Sequence, residues 1–174
     1  MWSEHYDLSL ELYNLLLENE YTIGNQEEAK VAIDQVLKQS RSSTDKFRAQ
    51  ACLLEITTNG KDRCFYRGVA MCLEILRGHG IKLPNKPTNS RIAQDERRLT
   101  KALPNGKLED LLHLSLMEDK VAVCISAFLG KLANFCALAQ RPELGKLAAL
   151  KAFQLACTYG VNTHMVFALA LRHI

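Results

Sequence analysis

One feature of this sequence restricts its fold more than any other, namely an apolar pattern in the N-terminal half that recurs after 36 residues. The matched positions are Gly24 and Gly60, Ala29 and Phe65, Ile33 and Val69, Val36 and Cys72, and Leu37 and Leu73. Each repeat contains two amphipathic helical patterns separated by a turn. One such helix pair cannot bury its apolar faces alone, so the pattern predicts helix pairs that stack on one another.

Apolar periodicity over the rest of the chain predicts further helices and no strand. The predicted helices span 4–23, 26–40, 44–59, 62–78, 90–103, 107–114, 116–139 and 142–159, with a last one from 162. Residues 78–87 contain two glycines and two prolines, which resist both helix and strand. We therefore expect two helix pairs at 1–79, a linker loop at 80–89 and further helices at 90–174, in an all-α solenoid of antiparallel helix pairs.

The first helix carries two apolar stripes, one with Leu8, Leu12 and Leu16 and one with Leu10 and Leu17. Two stripes predict neighbours on two sides of this helix. The residues expected in the core are Leu12, Leu16, Ile33, Leu37, Leu53, Val69, Leu73, Ile125, Phe128, Leu132 and Leu155. The last helix stays apolar to the chain end without a stop signal, so we expect the chain to be a fragment of a longer array.

The charge of the chain is close to neutral, with 22 Lys and Arg against 19 Asp and Glu. Nucleic-acid-binding domains usually carry a larger basic excess, and the only local support for such binding is Arg91, Arg97, Arg98 and Lys101. Residues 1–30 have a net charge of −6, from seven acids and one lysine, whereas residues 120–174 have +5. The acidic and basic ends either stack on neighbours of opposite charge or are ordinary helix faces exposed to solvent.

No residue pattern predicts catalysis or a cofactor. The pairs Gly130–Lys131 and Gly145–Lys146 lack the rest of a phosphate-binding loop, and we interpret both glycines as points of close helix approach. The histidines show no metal-ligand spacing, and the six cysteines include no C-x-x-C pair. We therefore expect no enzyme, no metal and no cofactor, with cysteines that are reduced thiols of an intracellular, cytoplasmic protein.

An apolar run at 121–139 is long enough to cross a membrane. Lys131 and Asn134 lie near its middle, and a central lysine is costly to insert. The neighbouring helical patterns are amphipathic. We therefore predict a buried helix here and no membrane contact.

Several segments resemble a known family. They are residues 6–15 (YDLSLELYNL), 24–28 (GNQEE), 36–37 (VL), 73–84 (LEILRGHGIKLP) and 107–114 (KLEDLLHL). They resemble the TPR-like helical region that follows the AAA-type ATPase module in large signalling proteins. Those proteins often have a kinase-like domain in front, and cyanobacterial members are multi-sensor hybrid histidine kinases. None of the matching residues is catalytic in the family, because its nucleotide-binding and phosphotransfer residues belong to other domains.

The resemblance implies a non-catalytic TPR-like interaction or scaffold segment. Its partners would be protein segments, among them the ATPase and kinase domains of the same protein. The alternative is a fragment of a full-length ATP-dependent kinase or ATPase whose catalytic domains lie outside this chain. On a concave solenoid face, the polar residues Asn14, Glu18, Gln50 and Thr57 are the predicted partner-binding positions, and ordinary solvated positions are the alternative.

Overall fold

The structure is a computed structural model that describes residues 2–59, 64–103 and 105–165. Over these ranges it contains α-helices, short 3-10 turns and no strand, so the predicted all-α class is confirmed. The helices are α1 (Tyr6–Thr22), α2 (Gln26–Gln39), α3 (Phe47–Asn59), α4 (Phe65–Gly78), α5 (Asn89–Ala102), α6 (Lys120–Leu138) and α7 (Pro142–Tyr159). The helix predicted from residue 162 lies mostly outside the described residues, and its described part is a 3-10 turn at Thr163–Met165.

The chain divides into two compact units, Met1–Cys64 with α1 to α3 and Phe65–Ile174 with α4 to α7. The loop predicted as a linker, 80–89, lies inside the second unit. Leu83 in this loop is buried, and the Arg141 guanidinium donates to the backbone oxygen and, at 2.9 Å, to the side-chain oxygen of Asn85. Glycine and proline prevent a helix here, but they do not prevent the loop from being anchored.

In the first unit, α1 packs along α2, and α3 packs against both. The centre of this unit is formed by Leu17, Ile33 and Val36, all fully buried, with Cys52 beside them. Tyr6 donates a 2.5 Å hydrogen bond to Asp45 and thereby ties the start of α1 to the segment before α3. The unit is therefore a three-helix cluster whose apolar centre uses one face of α1.

In the second unit, α6 packs against α4 and α7, and α5 packs against α7. Leu132 of α6 and Leu147 of α7 are fully buried in the core of this unit. A Cβ atom at Gly145 of α7 would lie 3.2 Å from the Cβ of Cys136 in α6, which confirms the predicted close approach of helices at this glycine. The main packing partner of α4 is thus a helix two positions further along the chain.

Helix α6 is the one helix of the described residues that is long and apolar enough to cross a membrane, with a mean hydropathy of 1.9. Of its most apolar 18-residue stretch, 56% is buried inside the structure. A core helix meets the same length and composition criteria, so these properties alone are a weak indication of a membrane span.

The predicted core is partly right. Five of its residues are buried, namely Ile33, Val69, Ile125, Phe128 and Leu132. Leu37, Leu53, Leu73 and Leu155 are half-buried. The prediction is wrong for Leu12 and Leu16, which are 49% and 44% exposed. The helices of the first unit pack on the opposite side of α1, so only one of the two apolar stripes enters its core.

Candidate interaction surface

The most unusual surface of the described chain lies along α1. Five large apolar side chains there are between 44% and 61% exposed: Leu8, Leu12, Leu15, Leu16 and Ile23. Their spacing places them on one side of the helix, opposite to the buried Leu17. We call these five residues the exposed stripe. Single exposed apolar residues are ordinary, but a contiguous set of them makes this side of α1 a candidate interaction surface.

One edge of the exposed stripe is acidic. Asp7, Glu11 and Glu18 follow each other along α1, and Glu4 precedes them in the turn before the helix. Arg48 of α3 contacts two of these carboxylates. Its Nε and second terminal nitrogen each lie 2.8 Å from an oxygen of Glu18, and its other terminal nitrogen lies 2.8 Å from Glu11. Four carboxylates and one guanidinium leave this edge with a net charge of −3.

The hydrogen bonds from Arg48 lower the pKa of Glu18, outweighing the opposite effect of its partial burial. Glu18 therefore stays ionised at neutral pH. The side chains of Arg48, Glu11 and Glu18 are 39–57% exposed, so the ion pairs contribute little to stability. Their main consequence is that the carboxylates of Glu11 and Glu18 lie beside the Arg48 guanidinium of α3.

The predicted partner-binding residues do not form one face. Asn14 is buried, and its Oδ1 has no hydrogen-bond partner among the described residues. The buried Oε1 of Gln50 also has none there. Gln50 lies two residues from both Arg48 and Cys52, which contact α1, and residues two apart on a helix face different directions. Gln50 therefore lies on a side of α3 that does not face α1, and it does not share a surface with Asn14.

The other two predicted positions differ from each other as well. Glu18 lies on the acidic edge and is bound by Arg48. The Thr57 hydroxyl donates to the Leu53 carbonyl one turn earlier at 2.8 Å, which satisfies it within its own helix. Of the four predicted residues, only Glu18 borders the exposed stripe. The stripe itself was missed as a surface because the sequence pattern assigned its leucines to the core; the row of acids beside them was the available signal.

A second charged cluster joins α5 to α7. The Asp95 carboxylate is fully buried and lies 2.7 Å from the Lys151 ammonium, 3.0 Å from Arg91 and 3.6 Å from Arg98. Gln154 donates a 2.9 Å hydrogen bond to the Asp95 backbone oxygen. Burial raises the pKa of Asp95, but the hydrogen bond and charge of Lys151 outweigh it and hold this pKa below its usual range.

Two of the four basic residues that gave local support for nucleic-acid binding, Arg91 and Arg98, are thus paired with Asp95. Both guanidinium side chains are partly exposed, at 40% and 55%, and each lies beside the buried Asp95 carboxylate. The cluster links two helices of the second unit, and this structural role accounts for it. The other two basic residues, Arg97 and Lys101, are exposed on α5.

The described residues show no constellation for metal or thiol chemistry. No group of three His, Cys, Asp or Glu residues converges as metal ligands in the ranges that the structure covers. Burial raises the pKa of Cys136 to about 11. Burial, with Glu18 and Glu55 nearby, raises that of Cys52 to about 11 as well. Few thiolates exist at these two positions at neutral pH, so neither cysteine is an activated nucleophile.

Removing part of the exposed stripe should not unfold the protein. We expect Leu12→Gln with Leu15→Gln to change the free energy of unfolding by no more than about 0.5 kcal/mol per substitution, because both side chains are half-exposed. Urea unfolding can be followed by the fluorescence of Trp2, the only tryptophan, whose ring lies 5.1 Å from that of Tyr13. The control is Leu17→Ala in the core, with an expected loss of about 2–5 kcal/mol. A loss of that size in the double variant would show that the stripe is covered in the folded chain.

Comparison with known proteins yields no match, whether to a family model, to a curated protein or to a solved structure. The resemblance to the helical region of signalling ATPases therefore depends on the residues of this sequence alone.

Proposed function

We propose that this chain is a non-catalytic helical segment that binds other protein segments. The observation that carries the proposal is the exposed stripe. Five half-exposed, large apolar side chains in one line form a patch of the kind that water-exposed protein surfaces rarely retain unless a partner covers it. The helix beneath is held by its opposite face in the core of the first unit, so the patch is presented on a rigid support.

The finer part of the proposal is that the chain is a TPR-like segment of a cytoplasmic multidomain signalling ATPase or kinase. Its support is the resemblance of residues 6–15, 24–28 and 73–84 to the helical region of such proteins, together with the 36-residue recurrence. The short connection between α1 and α2 is also typical of helix-pair solenoids. The ATPase and kinase domains of the same protein are then the first partners to examine.

A photo-crosslinking amino acid placed at position 12 tests the interaction function. The protein is expressed from its own gene, and crosslinked products are identified by mass spectrometry. We expect position 12 to give discrete crosslinks to another protein segment. The matched control is position 31, since Val31 is 65% exposed on α2 and lies outside the stripe. Identical products from both positions, or none from position 12, would remove the stripe as an interaction surface.

The non-catalytic part of the proposal makes a separate prediction. Gly130 and Gly145 lie inside α6 and α7, where the backbone N–H groups are used by the helices and cannot surround a phosphate. We expect the 174-residue chain to show no saturable ATP binding by titration calorimetry with Mg²⁺ present. Saturable binding would contradict this assignment and favour a catalytic role.

A further inference from the structure

Three residues of the exposed stripe and Asn19, which lies on the same side of α1, have the spacing of one helix of a coiled coil. Leu8, Leu12, Leu15 and Asn19 follow each other at intervals of four, three and four residues along one side of α1. This is the a/d spacing of a heptad, with Leu8 and Leu15 at d and Leu12 and Asn19 at a. Such a seam is made to receive side chains of a second helix. The segment from residue 8 to residue 23 is about 22 Å long, which is enough for a partner helix of about four turns.

The acidic edge occupies the positions that select a partner in this geometry. Glu11 and Glu18 fall at g, one heptad apart, and Glu4 precedes them by one more heptad. Charges at e and g set partner choice and orientation in coiled coils. Asp7, the fourth acid of the edge, falls at c and so does not face the partner. Glu4, Glu11 and Glu18 together with Arg48 have a net charge of −2, which favours lysine or arginine on the facing edge of the partner.

A second copy of α1 does not meet this requirement. In a parallel pair, glutamates at g would face the e positions of the copy, where Leu16 and Ile23 lie. In an antiparallel pair, g would face g, and glutamate would meet glutamate. Asn19 at an a position needs a polar side chain opposite it, which fixes the register of any partner. A parallel copy would supply its own Asn19 there, so it is the glutamates, left without basic partners, that disfavour a second copy.

We propose that the exposed stripe binds an amphipathic partner helix with a leucine-type a/d seam and a basic edge. The inference rests on the proposed interaction function and specifies the partner. The seam supplies the apolar area, the acidic edge selects a basic helix, and Asn19 sets the register.

Two synthetic three-heptad peptides test this proposal against the full chain. Both have the same leucine seam with one asparagine at a; one carries lysine at e and g and the other glutamate. Binding is measured by fluorescence anisotropy. We expect the lysine peptide to bind and the glutamate peptide to bind at least about tenfold more weakly. Leu12→Gln with Leu15→Gln should weaken binding of the lysine peptide about 30-fold, since two half-exposed leucines lose their buried area.

Two further variants distinguish the apolar contribution of the seam to peptide binding from the contribution of the acidic edge. Val31→Gln removes an exposed apolar side chain outside the stripe and should leave the affinity unchanged. Glu4→Gln with Asp7→Asn keeps the seam and should reduce the preference for the lysine peptide. The leucine double variant keeps every charge of the protein, so its loss of binding cannot come from electrostatics alone.

Each other outcome overturns the proposal in a recognisable way. Equal binding of both peptides would remove the basic partner and leave the interaction function standing. Equal binding of the lysine peptide to wild type and to the leucine double variant would show non-specific attraction. Dimers in sedimentation that vanish in that variant would identify a second copy as the occupant. Binding of neither peptide would also overturn the inference, and the crosslinks from position 12 would then decide the interaction function by themselves.

Discussion

Replacing Asp95 with alanine is expected to lower the free energy of unfolding by about 3–5 kcal/mol. The carboxylate is fully buried and is the shared partner of Lys151 and Arg91. Without it, the Lys151 ammonium stays largely buried, with its side chain only 18% exposed, and loses its counter-charge. An unpaired charge in such a place is more costly than the loss of an attraction, because its desolvation is no longer compensated.

The neighbouring residue provides the control for this prediction. Glu96 pairs with Lys146 at 2.8 Å, but its side chain is 44% exposed and water replaces the lost contact. We expect Glu96→Ala to cost no more than about 1 kcal/mol. Urea unfolding followed by circular dichroism at neutral pH compares the two variants. Equal losses would show that Asp95 is not the buried centre of this charge cluster.

The pH dependence of stability gives an independent check. The pKa of Asp95 in the folded protein lies below its unfolded value of about 3.9. Its contribution is therefore complete above that pH and is lost as the pH falls through the lower, folded pKa. Since Asp95→Ala has no such group, its stability should fall less steeply than that of the wild type below about pH 4. Parallel acid curves would show that the carboxylate does not titrate in this way.

The predicted bounds of a helix agree with the observed ones where contacts within the helix itself determine its ends. The predicted helix 26–40 corresponds to α2 at Gln26–Gln39, where the helical periodicity is unbroken. Helix α6 begins at Lys120, later than the predicted start at 116, although Ser115 followed by Glu118 has the spacing of a capping box. Ser115 instead accepts a 2.8 Å hydrogen bond from the Val161 N–H, and α6 begins only after Asp119, whose side chain accepts from Ala122. A contact 46 residues away in sequence overrode a local capping signal.

Burial of apolar residues was also predictable only where the local pattern leaves one choice. Ile33 and Val69 lie on single apolar stripes, and a helix with one such stripe has only one face to bury. Helix α1 has two, and its sequence does not say which one the rest of the fold will cover. The pairing of Asp95 with Lys151 joins residues on different helices and leaves no local pattern. Local pattern therefore does not decide which stripe of α1 is exposed, nor that Asp95 pairs with Lys151. The row of acids beside the leucines is a local sign of the exposed stripe.

The contact between Ser115 and Val161 also leaves no room for a side chain at Gly160. Gly160 has φ of +95°, a conformation that L side chains rarely adopt. A Cβ atom there would lie 2.3 Å from the Ser115 carbonyl oxygen and 3.0 Å from the Leu116 carbonyl carbon, and both are backbone atoms. Rotation of a side chain cannot relieve such a clash. The backbone of residues 115–116 would have to move away from the end of α7.

We expect Gly160→Ala to lower the free energy of unfolding by about 2–6 kcal/mol, from about 1–3 kcal/mol of backbone strain and a similar cost of overpacking. The movement would also disrupt the 2.8 Å hydrogen bonds between Val161 N–H and Ser115 and between Met117 N–H and Val161. Gly78 is the matched control, because a Cβ atom there meets nothing within 4 Å and its φ is not positive. Gly78→Ala should be neutral or stabilise by up to about 1 kcal/mol. Urea unfolding and amide exchange at Val161 measure both effects, and retained protection of that amide in Gly160→Ala would contradict the close backbone approach.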